Sequence, residues 1–138
     1  PMQWNNESNA GFSSGKPWLE LNNNYKEINV AEDLDDPRSI YKFYQKVLEL
    51  KKESEVFNNG KYQLVDSDDS SIYAYTRTVK DARALVICSF APYKVKFDVP
   101  KEFVKKSKVL LNNYDEDIKE IPSTIYLKPY EGIVLKRD

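Results

Sequence analysis

A short apolar run, residues 84–90 with the sequence ALVICSF, constrains the fold of this chain more than any other feature. Apolar residues occupy successive positions of the run, Lys80-Asp81 precedes it and Ala91-Pro92 follows it. A run of this length and composition is typical of a β-strand that is covered on both faces. A helix this short, ending at a proline, is the weaker interpretation. The run therefore predicts the central strand of a β-sandwich.

The length, net charge and composition of the chain limit its possible functions. A length of 138 residues is that of one domain, and a formal net charge of −1 gives no reason to expect a nucleic-acid or membrane partner. No apolar segment approaches the roughly 20 residues that a membrane-spanning helix needs. The absence of histidine excludes histidine-based triads, histidine general bases and most zinc sites. Cys88 is the only cysteine, and we interpret it as a small buried hydrophobic residue of a cytoplasmic protein.

Residues 1–30 are polar, rich in asparagine and without helical or alternating periodicity. They nevertheless contain many large apolar side chains, namely Trp4, Phe12, Trp18, Leu19, Leu21, Tyr25 and Ile28. A solvated tail would not carry so many of them, so we predict an irregular segment that packs on a body outside this chain. Its side chains are then expected to be exposed, or to cover a second copy. Because Pro1 precedes Met2, we expect the sequence to be part of something longer.

Two helical segments are predicted next. Asn29 is placed to cap a short helical turn over residues 29–34. Asp36 and Pro37 then form a strong helix start, as N-cap and first helical residue, and predict a helix over about 37–53. The apolar residues of this helix fall at helical spacing on one stripe, formed by Ile40, Phe43, Tyr44, Val47 and Leu48.

From Val56 onward the apolar pattern has a period of two, which predicts strands. A turn at Asn58-Asn59-Gly60 leads into the first of them. The predicted strands lie at 62–64, 72–78, 84–90, 95–99, 108–111, 124–127 and 133–136. Short strands at regular spacing, each followed by turn residues, are typical of an antiparallel sandwich. The predicted fold is mainly β: an antiparallel Greek-key β-sandwich preceded by an irregular segment and one amphipathic helix.

No residue pattern predicts catalysis within this chain. The segment GFSSGK at 11–16 is one residue short of a phosphate-binding loop, and the acidic segment at 66–69 lacks the spacing of a calcium loop. Acidic clusters at 32–36 and 115–117 also lie at turns or helix starts, where carboxylates are readily solvated or act as caps. We predict no catalytic, substrate-binding or metal-binding residue and no cofactor.

Several tyrosines suggest an alternative hypothesis for the function of the chain. A sugar-stacking platform on one sheet could be formed by Tyr73, Tyr75, Tyr93, Tyr126 and Tyr130, which would make the chain a free-standing carbohydrate-binding β-sandwich. Packing in the core or between strands is the favoured interpretation of these residues. A third hypothesis is a domain that self-associates through residues 1–30.

Several segments resemble those of one family. The residues that carry the resemblance are PMQW at 1–4, NAGF at 9–12, PW at 17–18, NNNY at 22–25, DPRSI at 36–40 and LKPYEG at 127–132. They are similar to segments of α-glucosidases in the α-amylase superfamily, glycoside hydrolase family 13. Within that family the resemblance is to the oligo-1,6-glucosidases, dextran glucosidases and trehalose-6-phosphate hydrolases. It covers essentially the whole chain.

The resemblance implies a (β/α)8 barrel that carries the active site, followed by an antiparallel sandwich called domain C. Residues 1–55 would be the end of the barrel, with its last helix at about 37–53, and residues 56–138 would be domain C. The catalytic carboxylates of the family lie upstream of Pro1. The family often has aspartate at the position of Asn5, which leaves the role of that position open.

The chain is therefore expected to be an inactive piece of a retaining glycosidase that hydrolyses terminal α-1,6 or α-1,4 glucosidic bonds. Its partner would be the missing barrel, which this piece stabilises. It would meet oligosaccharide only through that barrel.

Overall fold

The computed structural model describes residues 1–114 and 118–137, which separate into two compact units, Pro1–Val47 and Leu48–Asp138. The described helices are α1 (Val30–Asp35), α2 (Ile40–Glu53) and α3 (Glu55–Asn59). The described strands are β1 (Lys61–Val65), β2 (Ile72–Val79), β3 (Ala82–Ser89), β4 (Val95–Asp98), β5 (Lys108–Asn112), β6 (Thr124–Leu127) and β7 (Gly132–Arg137).

The first unit is irregular before α1, as predicted. A 3-10 turn over Ser8–Gly11 places Ala10 in the left-handed region at φ 55°, although its side chain is fully buried. The Ala10 carbonyl accepts hydrogen bonds from the backbone N–H groups of Trp4 (2.9 Å) and Asn5 (3.2 Å). Gln3 then joins this turn to the region of α1, since its carbonyl accepts from the Val30 N–H at 2.9 Å. Local hydrogen bonds, rather than a regular element, thus order this segment.

The large side chains of this segment are mostly exposed. Trp18 is 90% accessible, and Trp4, Phe12, Leu19 and Ile28 are also classed as exposed. The expected exposure is found for these five side chains, whereas Leu21 and Tyr25 are partly covered.

The starts of the two longer helices differ in how well they were predicted. Asn29 caps α1, since its side-chain oxygen accepts from the Glu32 N–H at 3.0 Å. The predicted start of α2 at Pro37 is wrong, because the helix begins at Ile40. Asp36 instead closes a turn by accepting from the Arg38 N–H at 2.8 Å, and Ser39 caps the helix by accepting from the Lys42 N–H at 3.1 Å. An Asx turn thus competed successfully with a helix start at the same sequence.

The apolar stripe of α2 forms as predicted, but no residue of the helix is buried. Ile40, Tyr44 and Leu48 are exposed, and Phe43 and Val47 are only partly covered. An amphipathic helix is stabilised mainly by burying such a stripe. The exposed apolar stripe of α2 is therefore a surface suited to packing against another structural element.

The second unit is an antiparallel β-sandwich, which confirms the predicted fold class. One sheet has five strands in the order β1-β2-β3-β7-β5, and the other pairs β4 with β6. Every described pairing is antiparallel. The chain changes sheet at each of the four connections from β3 to β7, since β3, β5 and β7 belong to the five-stranded sheet and β4 and β6 to the other, and the last strand lies beside β3.

The core lies between the two sheets. It is formed by alternate residues of the strands together with the loop between β4 and β5 and the approach to β6: Ile72, Ala74, Leu85, Ile87, Val95, Phe97, Val99, Phe103, Ile121, Ile125, Leu127, Ile133 and Leu135. Val95, Phe97 and Val99, from the predicted strand at 95–99, all lie in this core. Phe103 is fully buried although it lies outside the predicted strands.

The prediction for the apolar run of residues 84–90 is only partly right. Residues 84–89 lie in β3, the middle strand of its sheet, with Leu85 and Ile87 fully buried in the core, whereas Phe90 lies beyond the strand and is exposed. On the opposite side Ala84 is fully buried, but Val86 and Cys88 are partly exposed. The strand is therefore not covered on both faces within this chain, and Cys88 is not fully buried.

Two further predictions concern residues 58–60 and 115–117. The expected turn at 58–60 is the end of helix α3, for which Gly60 is the C-cap residue. The acidic cluster at 115–117 lies outside the described residues. Within the described ranges, none of the helices combines the length and the apolar character that a bilayer span requires.

Candidate functional site

The five-stranded sheet has one side in the core and one side that points away from it, which we call the outer face. Side chains alternate along a strand, so the neighbours of buried Ile72, Ala74, Leu85 and Ile87 belong to the outer face. The outer face is formed by Tyr62 and Leu64 of β1, Tyr73, Tyr75 and Arg77 of β2, Ala84, Val86 and Cys88 of β3, and Val134 and Lys136 of β7.

Three tyrosines form a cluster on the outer face. The ring of Tyr75 lies 5.3 Å from that of Tyr62 and 5.6 Å from that of Tyr73, between ring centroids. The hydroxyl groups of Tyr62 and Tyr73 are hydrogen-bonded at 3.0 Å. That hydrogen bond raises the pKa of Tyr62, and burial raises the pKa of Tyr75. Both shifts favour the neutral forms of Tyr62 and Tyr75.

The structure brings together only part of the predicted tyrosine platform. Tyr73 and Tyr75 share the outer face, whereas Tyr126 lies on β6 of the other sheet and Tyr93 and Tyr130 lie in turns. The rings of the cluster are tilted by 36° and 49°, so they do not present one flat stacking surface. Cross-strand packing describes the cluster better.

Tyr62 is the member of the cluster that sequence reasoning missed. It joins the others because β1 pairs with β2 in a register that sets Tyr62 opposite Arg77 and therefore diagonal to Tyr75. The alternation of Tyr62 and Leu64 in the sequence indicates that both lie on the same side of a strand. Only the register between β1 and β2 shows which side chains of β2 they adjoin.

Helix α3 covers one end of the outer face. Its Val56 side chain is buried, and the Arg77 guanidinium donates hydrogen bonds to the carbonyls of Phe57 (3.1 Å) and Asn58 (3.4 Å) at the end of the helix. An ion pair between Lys80 and Glu55, 3.2 Å, joins the same helix to the β2–β3 turn. A cationic side chain at the carboxyl end of a helix is favourable because the last carbonyls lack helical partners.

Gly60 allows this close approach of α3 and the sheet. A Cβ at this position would collide with the carbonyl oxygen of Val56 and would lie 3.1 Å from the backbone nitrogen of Thr78. Next to α3 lies an open depression of about 570 Å³, with Leu50, Val56, Val79 and Leu110 among its lining residues. The outer face thus continues beyond α3 as a partly apolar surface.

The acidic segment at 66–69 behaves as an ordinary turn. The Asp69 carboxylate accepts hydrogen bonds from the hydroxyl (2.6 Å) and the N–H (2.8 Å) of Ser71, and these bonds lower the pKa of Asp69. Over residues 1–114 and 118–137, no group of three or more histidine, cysteine, aspartate or glutamate side chains could hold a metal ion.

A buried carboxylate lies in the turn between β6 and β7. Glu131 is only 2% exposed, and its two oxygens accept from Asn112 Nδ2 (3.0 Å) and from the Lys128 N–H (2.7 Å). These contacts join β5 to the turn before β7. Glu131 therefore orders the turn between β6 and β7 rather than facing a cleft.

Two family models match most of the chain, in two parts. The family model "Alpha amylase, catalytic domain" matches residues 1–60, and the model "Alpha-amylase SusG C-terminal domain" matches residues 72–134. The order of the two matches is that of a catalytic domain followed by a C-terminal domain.

Among curated relatives, an oligo-1,6-glucosidase of Parageobacillus thermoglucosidasius is 42% identical over 99% of this chain and 24% of its own length. One from Halalkalibacterium halodurans is 44% identical over 97% of this chain and 24% of its own length. Among solved structures, trehalose-6-phosphate hydrolase of Bacillus licheniformis is 42% identical with a TM-score of 0.86, over 99% of this chain and 25% of that one. The chain thus spans about a quarter of the length of the relatives it matches.

Proposed function

The chain belongs to the α-amylase family of glycoside hydrolases, and on that premise we propose that it is the non-catalytic carboxy-terminal part of an α-glucosidase. Residues 1–55 form the end of the catalytic barrel in this proposal, and residues 56–138 form domain C. The role of the piece is to stabilise the barrel, whose active site does the chemistry.

The observation that carries the proposal is the succession of the two family matches within one short chain. The catalytic-domain match ends at residue 60, and the C-terminal-domain match begins at residue 72, inside the sandwich. Relatives at 42% and 44% identity extend over nearly the whole chain. The exposed stripe of α2 also supports a missing packing partner.

The proposed reaction of the whole protein is hydrolysis of terminal α-linked glucose, with α-1,6 linkages favoured over α-1,4. The relatives are mostly oligo-1,6-glucosidases, which supports this linkage. A retaining glycosidase uses two nearby carboxylates, one as nucleophile and one as acid and base. We assign neither role to a residue of this chain, and we propose no cofactor or metal. The proposed location is the cytoplasm, supported by the single cysteine.

Activity assays test the proposal directly. The isolated 138-residue chain and the complete polypeptide that contains it are each given p-nitrophenyl α-glucoside and isomaltose. The complete polypeptide should release glucose from isomaltose, and the isolated chain should not. Hydrolysis by the isolated chain that is abolished by substitution of one of its own carboxylates would contradict the assignment.

Self-association of the isolated chain is a second proposal, and the exposed side chains of residues 1–30 support it. Exposed apolar patches of this kind favour association between copies. Size-exclusion chromatography of the chain with and without residues 1–30 is the test. A monomeric elution volume that does not change with concentration in both forms would contradict it.

A further inference from the structure

We propose that a polar pocket of about 250 Å³ on the core side of the five-stranded sheet binds a phosphate group, with Arg83 and Lys61 as its cationic ligands. The pocket lies where strands β1, β2 and β3 meet the loop between β4 and β5. We call it the basic pocket, and its lining residues include Lys61, Gln63, Thr78, Arg83, Glu102 and Phe103. It lies on the opposite side of the sheet from the outer face, and the inference does not depend on the proposed function.

The core side of the sheet changes from apolar to polar at this end. Arg83 lies two residues before Leu85, so both point to the core side of β3. Thr78 likewise shares the core side of β2 with Ala74. Leu85 and Ala74 are buried, but the two polar side chains reach solvent. Since β4 and β6 have only four residues each, the longer strands β2 and β3 extend past the small sheet here.

A row of cationic residues crosses four strands at the pocket. Lys61 lies opposite Thr78, and Thr78 lies opposite Arg83. Arg83 in turn lies opposite Arg137 of β7. Side chains directly opposite each other have Cβ atoms about 4.5–5.5 Å apart, and like charges at such positions are destabilising. An anion bound at this row would therefore be attracted by several cations and would relieve their mutual repulsion.

The two cations that line the pocket have no counter-ion in the described part of the chain. Over residues 1–114 and 118–137, neither Lys61 nor Arg83 forms an ion pair. Arg137 is engaged by the backbone, since its Nη1 donates a hydrogen bond to the Glu102 carbonyl at 3.1 Å. Among the described lining residues, Glu102 is the one acid, so two cations and one carboxylate give the pocket a net charge of +1.

The chemistry of the lining specifies a phosphate group. The planar guanidinium of Arg83 can donate two parallel hydrogen bonds to an oxyanion, and the Lys61 ammonium adds a point charge. The Thr78 hydroxyl and the Gln63 amide supply further donors in the same pocket. Phe103, which is fully buried, gives it one apolar wall. The volume is below the roughly 300–1,000 Å³ of sites for drug-sized ligands, so it suits free phosphate or one phosphorylated sugar.

Titration calorimetry of the 138-residue chain tests the inference, with inorganic phosphate, glucose 6-phosphate and glucose as probes. Measurements are made at neutral pH and constant ionic strength, with sodium chloride as the reference salt, because salt screens every charged contact. Inorganic phosphate should bind saturably, and glucose should not. Tighter binding of glucose 6-phosphate would identify a phosphorylated sugar as the ligand, and equal or weaker binding would identify free phosphate. Amide chemical shifts should change around Lys61, Thr78 and Arg83.

Matched substitutions test the assigned ligands. Arg83→Gln should weaken phosphate binding at least about tenfold, because the charge-assisted hydrogen bonds of the guanidinium are lost. Arg38→Gln is the control, since Arg38 is exposed in the other unit of the chain. Lys61→Gln, on the edge strand β1, should also weaken binding and gives a second test if Arg83→Gln does not fold. Circular dichroism checks the folding of each variant.

Glu102→Gln distinguishes an anion site from a site for neutral ligands. It removes the one carboxylate of the described lining, so phosphate should bind more tightly than to the parent chain. Weaker phosphate binding by this variant would overturn the inference. Binding of glucose as tight as that of glucose 6-phosphate would show that the pocket accepts a neutral sugar and would also overturn it. So would equal losses in Arg83→Gln and Arg38→Gln, or phosphate binding that does not saturate.

Discussion

Asn112 and Glu131 are joined across the last two strands of the large sheet by a hydrogen bond of 3.0 Å, from Asn112 Nδ2 to Glu131 Oε1. The carboxylate that accepts it is almost completely buried, and its second oxygen accepts from the Lys128 N–H. Buried charge is tolerated only where hydrogen bonds compensate for the lost water. The pair therefore fixes the turn between β6 and β7 to the end of β5.

Glu131→Gln should destabilise the sandwich, because one carboxylate oxygen is replaced by a donor that faces the N–H of Lys128 or the amide of Asn112. We expect a loss of about 1–3 kcal/mol in the free energy of unfolding, as for other buried hydrogen-bonding groups left unsatisfied. Urea denaturation of the 138-residue chain measures it. Glu120→Gln is the control, since Glu120 forms only an exposed ion pair with Lys105. Equal midpoints for the two variants would contradict the structural role of Glu131.

Phe103→Ala should lower the free energy of unfolding by about 3–5 kcal/mol, because truncating a buried phenylalanine removes apolar contact and leaves a cavity. The side chain is fully buried between the sheets. Phe90→Ala is the matched control at a position 65% exposed, where a change within about 0.5 kcal/mol is expected. Thermal and urea unfolding measure both variants. A stable, unperturbed Phe103→Ala variant would show that the segment at 100–106 does not complete the core.

Arg77→Ala should release α3 from the sheet, because it removes the donors to the carbonyls of Phe57 and Asn58. The expected cost is about 1–3 kcal/mol, the range for hydrogen bonds from a charged donor. Amide hydrogen exchange should show faster exchange confined to residues 55–59 and the adjacent end of β2. Lys61→Ala, at an exposed position of β1, serves as the control. If the amide hydrogen exchange of α3 is unchanged in Arg77→Ala, the buried Val56 side chain alone holds the helix on the sheet.

Asp98 should make stability depend on pH in the acidic range. The hydrogen bond from Lys96, followed by that from Thr124, holds the pKa of Asp98 below its usual value. Because the folded-state pKa is the lower one, this contribution is complete above the unfolded-state pKa and is lost as pH falls through the folded-state pKa.

Asp98→Asn should therefore lose less stability than the parent chain on acidification below about pH 4. The difference should shrink at high salt, since the group is exposed. Asp81→Asn at the exposed β2–β3 turn is the control. Carboxyl chemical shifts followed by NMR give the pKa of Asp98 directly, and a value at or above that of an unfolded peptide would contradict this account.

Cys88 should react slowly with thiol reagents at neutral pH in the folded 138-residue chain. Burial raises the pKa of its thiol, and the thiolate is the reactive form. Labelling in the native state should be slower than in urea at the same pH, and should accelerate as pH is raised. Equal rates for native and unfolded chain at neutral pH would contradict the partial burial seen here.

Local patterns predicted most elements of this fold. Alternation of apolar residues located the strands to within a few residues, and Asn29 was recognised as a cap because its side chain bonds to a backbone group three residues away. The start of α2 was missed because Asp36 and Ser39 both offer local hydrogen bonds, and only the folded chain shows which one begins the helix.

The candidate surface was predicted less well than the strands. Tyr73 and Tyr75 were identified as neighbours two residues apart, but their contact with Tyr62 depends on the pairing of β1 with β2. The burial of Glu131 likewise depends on Asn112, which is 19 residues away. A one-residue shift in register would move either contact to the other side of the sheet.

The sequence alone determined the order and type of the elements, the absence of histidine chemistry and the resemblance to one family of glycoside hydrolases, because these depend on residue identity and short-range spacing. Only the tertiary structure decided which side of the apolar strand β3 enters the core, and that the other side is a partly bare surface of tyrosine and aliphatic groups. The reason is physical: a strand that is apolar at successive positions does not itself specify which face is buried, and long-range pairing and sheet packing make that choice.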